Sequence, residues 1–250
     1  FMGLMRNLFD KNFPSPEPII NKNGSYISEI LNKKAAVVSF LNGSAKKVLN
    51  PNDCLEVGIN TAKLHLITKD LISKRENKLS IDSWRKIYSK VKKDCSKIHP
   101  NLPKIIEKNL DEIEKNWPKN IPAGIIHADL FPDNIFFKGN KLSGIIDFYF
   151  ACNDFYAYDL AICINAWCFN NKGVFENKKY ESLINGYQTL RKLNAKEINS
   201  MAILLRGAAM RFFLTRLYDQ LFHNKDAFVK PKDPLEYFNI LKFHQNNSLK

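Results

Sequence analysis

The chain has 250 residues, 45% hydrophobic and 12% aromatic, enough for a sizeable core, which excludes a disordered tail or a stapled mini-protein. Its 11 Pro and 10 Gly, with no internal repeat, exclude collagen-like and solenoid architectures. The net charge of +13 rests on 31 Lys scattered along the chain and only seven Arg, which lacks the clustered footprint of a nucleic-acid binder and fits a solvated surface that attracts an anionic substrate such as ATP.

Phe1, Leu4, Met5, Leu8 and Phe9 keep a helical rhythm from the first residue. A helix already under way at Phe1, without an initiating Met, predicts an incomplete or trimmed chain. Pro14, Pro16 and Pro18 then force an extended connector, because each ring removes a donor and pushes the preceding residue out of the helical region. Ile19-Ile20 and Tyr26 to Ile30 flank Asn23-Gly24, a pair that tolerates positive φ, so a hairpin is predicted there. Ala35 to Phe40 reads as a third, apolar strand. It runs into Leu41-Asn42-Gly43-Ser44, the predicted boundary between a small lobe over residues 1–41 and a large lobe over residues 42–250.

Beyond this boundary the period turns helical. Leu55, Ile59, Ala62 and Leu66 share one face, and Pro51 suits a first helical turn. Further helices are predicted at about 82–94 and 102–116, followed by a short strand from Gly124 to His127. Ile135 to Phe137 and Leu142 to Ile146 form a hairpin across Lys138-Gly139-Asn140-Lys141, and from Asp159 onward the pattern is helical, with a long helix from about Ala195 to Gln220. Strands in front and helices behind argue an α+β fold with two lobes. The longest nearly apolar run, Leu160 to Phe169, falls well short of the roughly 20 residues that a bilayer crossing needs. Five cysteines, none spaced as a zinc or redox pair, read as buried thiols in a reducing cytoplasm, and the first residues have no basic region followed by an apolar stretch.

The densest polar cluster inside apolar sequence is His127-Ala128-Asp129-Leu130-Phe131-Pro132-Asp133-Asn134, followed by the hairpin and then Asp147. Asn134 precedes the first strand of the hairpin and Asp147 follows the second, so strand pairing sets the two side by side. An amide oxygen and a carboxylate then converge on one point, a donor set that suits Mg²⁺ together with water and substrate phosphates. Asp129 is placed to accept a proton from an attacking hydroxyl, and His127 is expected to fix the loop by hydrogen bonds. These are the parts that phosphoryl transfer needs. A zinc hydrolase would need further ligands, and His65, His99, His223 and His244 are isolated in the sequence.

The pattern H-x-D-x-x-x-x-N followed by Ile146-Asp147-Phe148 resembles the aminoglycoside-phosphotransferase-like branch of the kinase fold. Ser143 to Asp154, Tyr158 to Cys163, Asn165 to Phe169, Leu205 to Phe212 and Lys232 to Tyr237 resemble, more closely, the bacterial homoserine kinases of that branch. The resemblance implies ATP-dependent phosphorylation of the L-homoserine hydroxyl, a step of threonine biosynthesis. It implies Asp129 as catalytic base, Asn134 and Asp147 as Mg²⁺ ligands, Ser39, Phe40 and Leu41 at the hinge that meets adenine, and Asp159 as a buried brace of the catalytic loop. A substrate carboxylate wants a guanidinium fork, for which Arg206 or Arg211 is available, each equally able to pair with a neighbouring helix. The family's phosphate-covering loop and its lysine have no counterpart here, in keeping with the expectation of an incomplete chain. A kinase of another small alcohol such as choline, with Tyr149, Phe150, Phe155, Tyr156, Tyr158 and Trp167 as an aromatic cage, and a non-catalytic pseudokinase remain alternatives.

Overall fold

The structure, a computed structural model, describes residues 1–71, 75–224 and 228–247. They form two compact units, the first from Phe1–Arg75, Ala123–Cys168 and Glu176–Lys192, the second from Glu76–Pro122, Phe169–Phe175 and Leu193–Lys250.

The first unit begins with helix α1 (Met2–Asp10), which buries Met5 and Leu8. Four short strands follow: β1 (Pro18–Ile19), β2 (Ser28–Ile30), β3 (Lys33–Ala35) and β4 (Val37–Val38). Their pairing differs from the expected hairpin. β1 pairs with β4, and β2 pairs with β3 around Leu31-Asn32. Both turn residues have positive φ, 50° and 60°, the conformation a tight two-residue hairpin turn demands. Asn23-Gly24 does turn, with Gly24 at φ 77°. There the Asn21 side-chain oxygen accepts the N–H groups of Asn23 and Ser25 at 2.9 and 3.0 Å, so the chain closes locally instead of launching two strands. The apolar stretch from Ala35 to Phe40 is likewise split between β3 and β4.

Helix α2 (Pro51–Ile67) starts from a capping box, in which Asn50 accepts the Asp53 N–H and Asp53 accepts the Asn50 N–H, with Pro51 at the first turn. Strand β5 (Ala123–Ile126) leads to the His127–Asn134 loop. β6 (Ile135–Lys138) and β7 (Lys141–Ile145) form the expected hairpin, Ile135 opposite Ile145. Strand β8 (Cys152–Phe155) pairs antiparallel with β5, Ile126 opposite Cys152. Helices α5 (Tyr156–Trp167) and α6 (Asn177–Leu190) complete the unit. α5 is buried nearly all round, as its continuous apolar run requires. α2 and α6 touch backbone to backbone: a Cβ on Gly58 would collide with the Leu183 carbonyl, and one on Gly186 with the Leu55 carbonyl. Only glycine permits this approach.

The second unit contains α3 (Ile81–Val91), α4 (Leu102–Asn116), α7 (Ala195–Leu221) and α8 (Pro234–Asn246). Its core is built on Trp84, Ile106, Leu110, Leu204, Phe213 and Leu241, all buried. α7 opens with a second capping box, Asn194 with Glu197. Among the described residues, no helix is long and apolar enough to cross a membrane. All five cysteines are buried.

Candidate active site

The loop between β5 and β6 is held from beneath by one carboxylate. Asp159, in the first turn of α5 and fully buried, accepts the His127 N–H at 3.0 Å and the Ala128 N–H at 2.8 Å. The oxygen that takes the His127 N–H, Oδ2, also meets His65 Nε2 at 3.1 Å. Burial alone would raise the pKa of Asp159; the hydrogen bond from His65 and that from the His127 N–H work against it, and the group is held below the usual value. Ala128 has φ +66°, a left-handed conformation that costs a non-glycine residue about 1–2 kcal/mol and turns the chain sharply before Asp129.

His127 is a fixed, neutral ring. Its Nε2 lies 3.0 Å from the Ile146 carbonyl, which can only accept, and its Nδ1 lies 3.3 Å from the Asp129 N–H, which can only donate. The proton therefore sits on Nε2. Burial pushes the pKa of this ring below 6.5, against the pull of Asp159, Asp129 and Asp147 in the other direction. On the far side of the loop, Trp167 Nε1–H donates to the Leu130 carbonyl at 2.8 Å.

Asn134 ties the loop to the hairpin. Its carbonyl accepts the Ile146 N–H at 3.0 Å, which brings Asn134 alongside the residue before Asp147. Its side-chain Nδ2 donates to the Asp129 carbonyl at 2.9 Å and to Asp129 Oδ2 at 3.1 Å. With both amide protons committed, Asn134 Oδ1 remains as an acceptor. Asp147 also has left-handed backbone, φ 62°, and its exposed carboxylate accepts a long 3.4 Å bond from the Tyr149 N–H. One amide oxygen and one carboxylate, both hard donors on neighbouring strand ends, fit Mg²⁺ chemistry.

Above Asp147, a cavity of about 410 Å³ is lined by Val38, Ser39, Phe40, Leu41, Ile146 and Phe148, among others. The Ser39 N–H is committed to the Glu17 carbonyl at 2.8 Å, and the Ser39 hydroxyl accepts the Glu17 N–H at 2.8 Å. Arg206 and Arg211 lie on α7, in the second unit. Arg206 bonds Glu112 and the Asn109 side-chain oxygen, the helix-to-helix pairing weighed as the alternative role. Arg211 is buried, its guanidinium carbon 4.6 Å from the centre of the Phe212 ring. Of the aromatic stripe, Tyr156, Tyr158 and Trp167 are core, whereas Tyr149 and Phe150 are exposed.

Three residues at the base of the loop escaped the sequence reading. His65, Tyr187 and Arg191 join Asp159 in one hydrogen-bonded chain: His65 Nδ1 lies 2.9 Å from Tyr187 Oη, and Arg191 Nη1 donates to that oxygen at 3.0 Å. His65 looked isolated because its partners stand 94 and 122 residues away.

The match to the phosphotransferase enzyme family spans residues 1–193. The chain belongs to this family. This phosphotransferase is 45% identical over 245 residues to a homoserine kinase of Parvibaculum lavamentivorans and 44% identical to one of Rhizobium etli, in each case over 98% of its own length and 76% of the relative's. It is an enzyme, a kinase. Solved structures with the same fold include the amicoumacin kinase hAmiN in complex with AMP-PNP, Ca²⁺ and Ami, at a TM-score of 0.71 and 16% identity over 98% of this chain and 75% of that one. The choline kinase of Cryptosporidium parvum superposes at a TM-score of 0.66 and 15% identity, over 98% of this chain and 76% of that one. The phosphotransferase thus has the α+β, kinase-like fold expected from its sequence, with short strands and a large helical portion.

Proposed function

We propose that this phosphotransferase transfers the γ-phosphoryl group of ATP to the hydroxyl of L-homoserine, giving O-phospho-L-homoserine and ADP. The substrate assignment rests on the homoserine kinases that resemble it along nearly its whole length. The mechanistic assignment rests on one contact, the Asn134 side-chain amide bound to both the main-chain carbonyl and the carboxylate of Asp129. That contact fixes the base relative to the ligand end of the hairpin.

Asp129 takes the proton of the substrate hydroxyl as the hydroxyl oxygen bonds to the γ-phosphorus. The bond from that phosphorus to the β–γ bridging oxygen breaks, and ADP leaves. Asn134 Oδ1 and the Asp147 carboxylate would hold Mg²⁺, which when bound supplies neutralisation of phosphate charge. With the Ser39 N–H committed to Glu17, the main chain of Phe40 and Leu41 is assigned to the adenine edge. The cavity below them matches a flat, largely apolar base. Arg206 and Arg211 are proposed for the substrate carboxylate on chemistry alone, since a guanidinium fork recognises a carboxylate through two hydrogen bonds, and Arg206 would have to exchange its bonds to Glu112 and Asn109 to do so. Five buried cysteines, none spaced in the sequence as a redox or zinc pair, suit a reducing cytoplasm.

The test is ADP release by the full-length protein with Mg-ATP, comparing L-homoserine, choline and no acceptor. Release that depends on L-homoserine supports the proposal. Release driven by choline, or none above background with any acceptor, overturns it.

A further inference from the structure

We propose that His65, Tyr187 and Arg191 are positioning residues that set the catalytic loop through Asp159, an inference that rests on the kinase reading of the loop. The chain of bonds has a direction. Arg191 Nη1 can only donate, so the phenol oxygen of Tyr187 accepts from it at 3.0 Å and turns its own proton toward His65 Nδ1 at 2.9 Å. His65 then presents Nε2–H to Asp159 Oδ2 at 3.1 Å. Asp159 in turn receives the N–H groups of His127 and Ala128, the two residues before Asp129.

Each link is sterically fixed. The His65 ring lies 4.6 Å from the Tyr156 ring and 5.7 Å from the Tyr187 ring, nearly perpendicular to the latter. The Arg191 guanidinium sits 4.7 Å over the Tyr156 ring, so its charge is spread over an aromatic face at the outer end of the chain. His65, Asp159 and Tyr187 are almost fully buried. The backbone contact of α2 with α6 at Gly58 and Gly186 is what brings a histidine of one helix to a tyrosine of the other.

The function of this rigidity follows from Ala128. Its positive φ is the less stable state of an alanine, and it persists because the Asp159 carboxylate is aimed at its N–H. Without His65 the carboxylate is held only by the N–H groups of the loop it braces, and a carboxylate that turns with that loop releases Ala128 toward negative φ. Asp129 follows Ala128 in the chain, so the base is displaced without any change at the hinge cavity. A role confined to satisfying buried polar groups would alter stability alone.

The decisive variant is Tyr187→Phe, which keeps the ring and removes the relaying hydroxyl. In the full-length protein we expect kcat for L-homoserine to fall about tenfold, the scale of one lost hydrogen bond, with the KM for ATP unchanged. Hydrogen–deuterium exchange at the His127 and Ala128 amides should quicken. Adding Ala128→Gly to Tyr187→Phe should return part of the lost kcat, because glycine occupies positive φ without strain. His65→Gln, which retains a donor where Nε2 stands, should fall less than His65→Ala. Wild-type kcat and wild-type exchange in Tyr187→Phe would overturn the proposal, as would a loss of kcat that only tracks a fall in melting temperature and that Ala128→Gly does not relieve. If the wild-type protein does not phosphorylate L-homoserine, the substrate reading fails while amide exchange at residues 127 and 128 still decides the positioning role.

Discussion

Asp159 accepts the Ala128 N–H at 2.8 Å while Ala128 stands at φ +66°, so a buried carboxylate and a strained alanine form a single unit beneath the His127–Asn134 loop. The carboxylate loses hydration on burial and regains it as hydrogen bonds from the loop and from His65. The alanine is held in a conformation that it would not adopt alone. Together they direct the chain so that Asp129 and Asn134 face each other across five residues.

Substitution at Ala128 separates strain from bulk. Ala128→Gly relieves the left-handed strain and gives back backbone entropy of similar size, so the melting temperature should change little. Ala128→Val adds a β-branch where φ must be positive and should cost about 2 kcal/mol or more, read by urea unfolding. A valine variant as stable as the wild type would show that the loop does not need this conformation.

Asp129→Asn and Asp147→Asn should fail in different ways. Asp129→Asn removes the proposed proton acceptor with little loss of packing, so kcat should drop about a hundred- to ten-thousandfold while the melting temperature and ATP affinity hold. Asp147→Asn keeps a side chain that tolerates φ 62° and removes the charge proposed to hold Mg²⁺. Calorimetric titration should then show Mg-ATP binding weakened by about tenfold or more, and nucleotide binding without Mg²⁺ little altered. The reverse pattern would exchange the two roles.

Gly186→Ala should push α6 away from α2, because the added methyl meets the Leu55 carbonyl. Overpacking of this kind costs about 1–3 kcal/mol, and it also separates Tyr187 from His65. Thermal unfolding gives the stability loss. A variant of undiminished stability would mean that the helices can part without penalty.

The helices and the β6–β7 hairpin were legible because their signals are local. Apolar spacing marks α2 and α7, and two apolar runs across Lys138-Gly139-Asn140-Lys141 mark the hairpin. The β5–β8 ladder was not legible. Cys152-Asn153-Asp154-Phe155 has neither alternation nor length, and it becomes a strand because β5 offers unpaired main-chain groups beside it. The same holds at the site. The order His127, Asp129, Asn134 and Asp147 is visible in one dimension, whereas His65 and Tyr187 reach Asp159 only after α2 and α6 have packed. The turn at Asn23-Gly24 was correctly placed and its strands were not, since the Asn21 side chain closes the turn on itself.

Two buried histidines make stability depend on pH in a defined window. Burial pushes His127 below 6.5, and burial together with the nearby Arg206 charge pushes His244 down to about 4. Both rings bind a proton more weakly in the folded chain than in the unfolded one, so the unfolded state gains protons first as the pH falls. Their contribution is complete above 6.5 and drains away as the pH drops toward about 4, where folded His244 itself protonates. The melting temperature should therefore decline across this window. His244→Leu, whose side chain cannot take up a proton among the surrounding Phe169, Phe243 and Arg206, should flatten the decline. His127 contributes to the slope that remains, since its Nδ1 must stay unprotonated to accept the Asp129 N–H. Melting curves of the wild type and His244→Leu that run parallel over this range would show that His244 titrates as freely in the folded protein as in the unfolded chain.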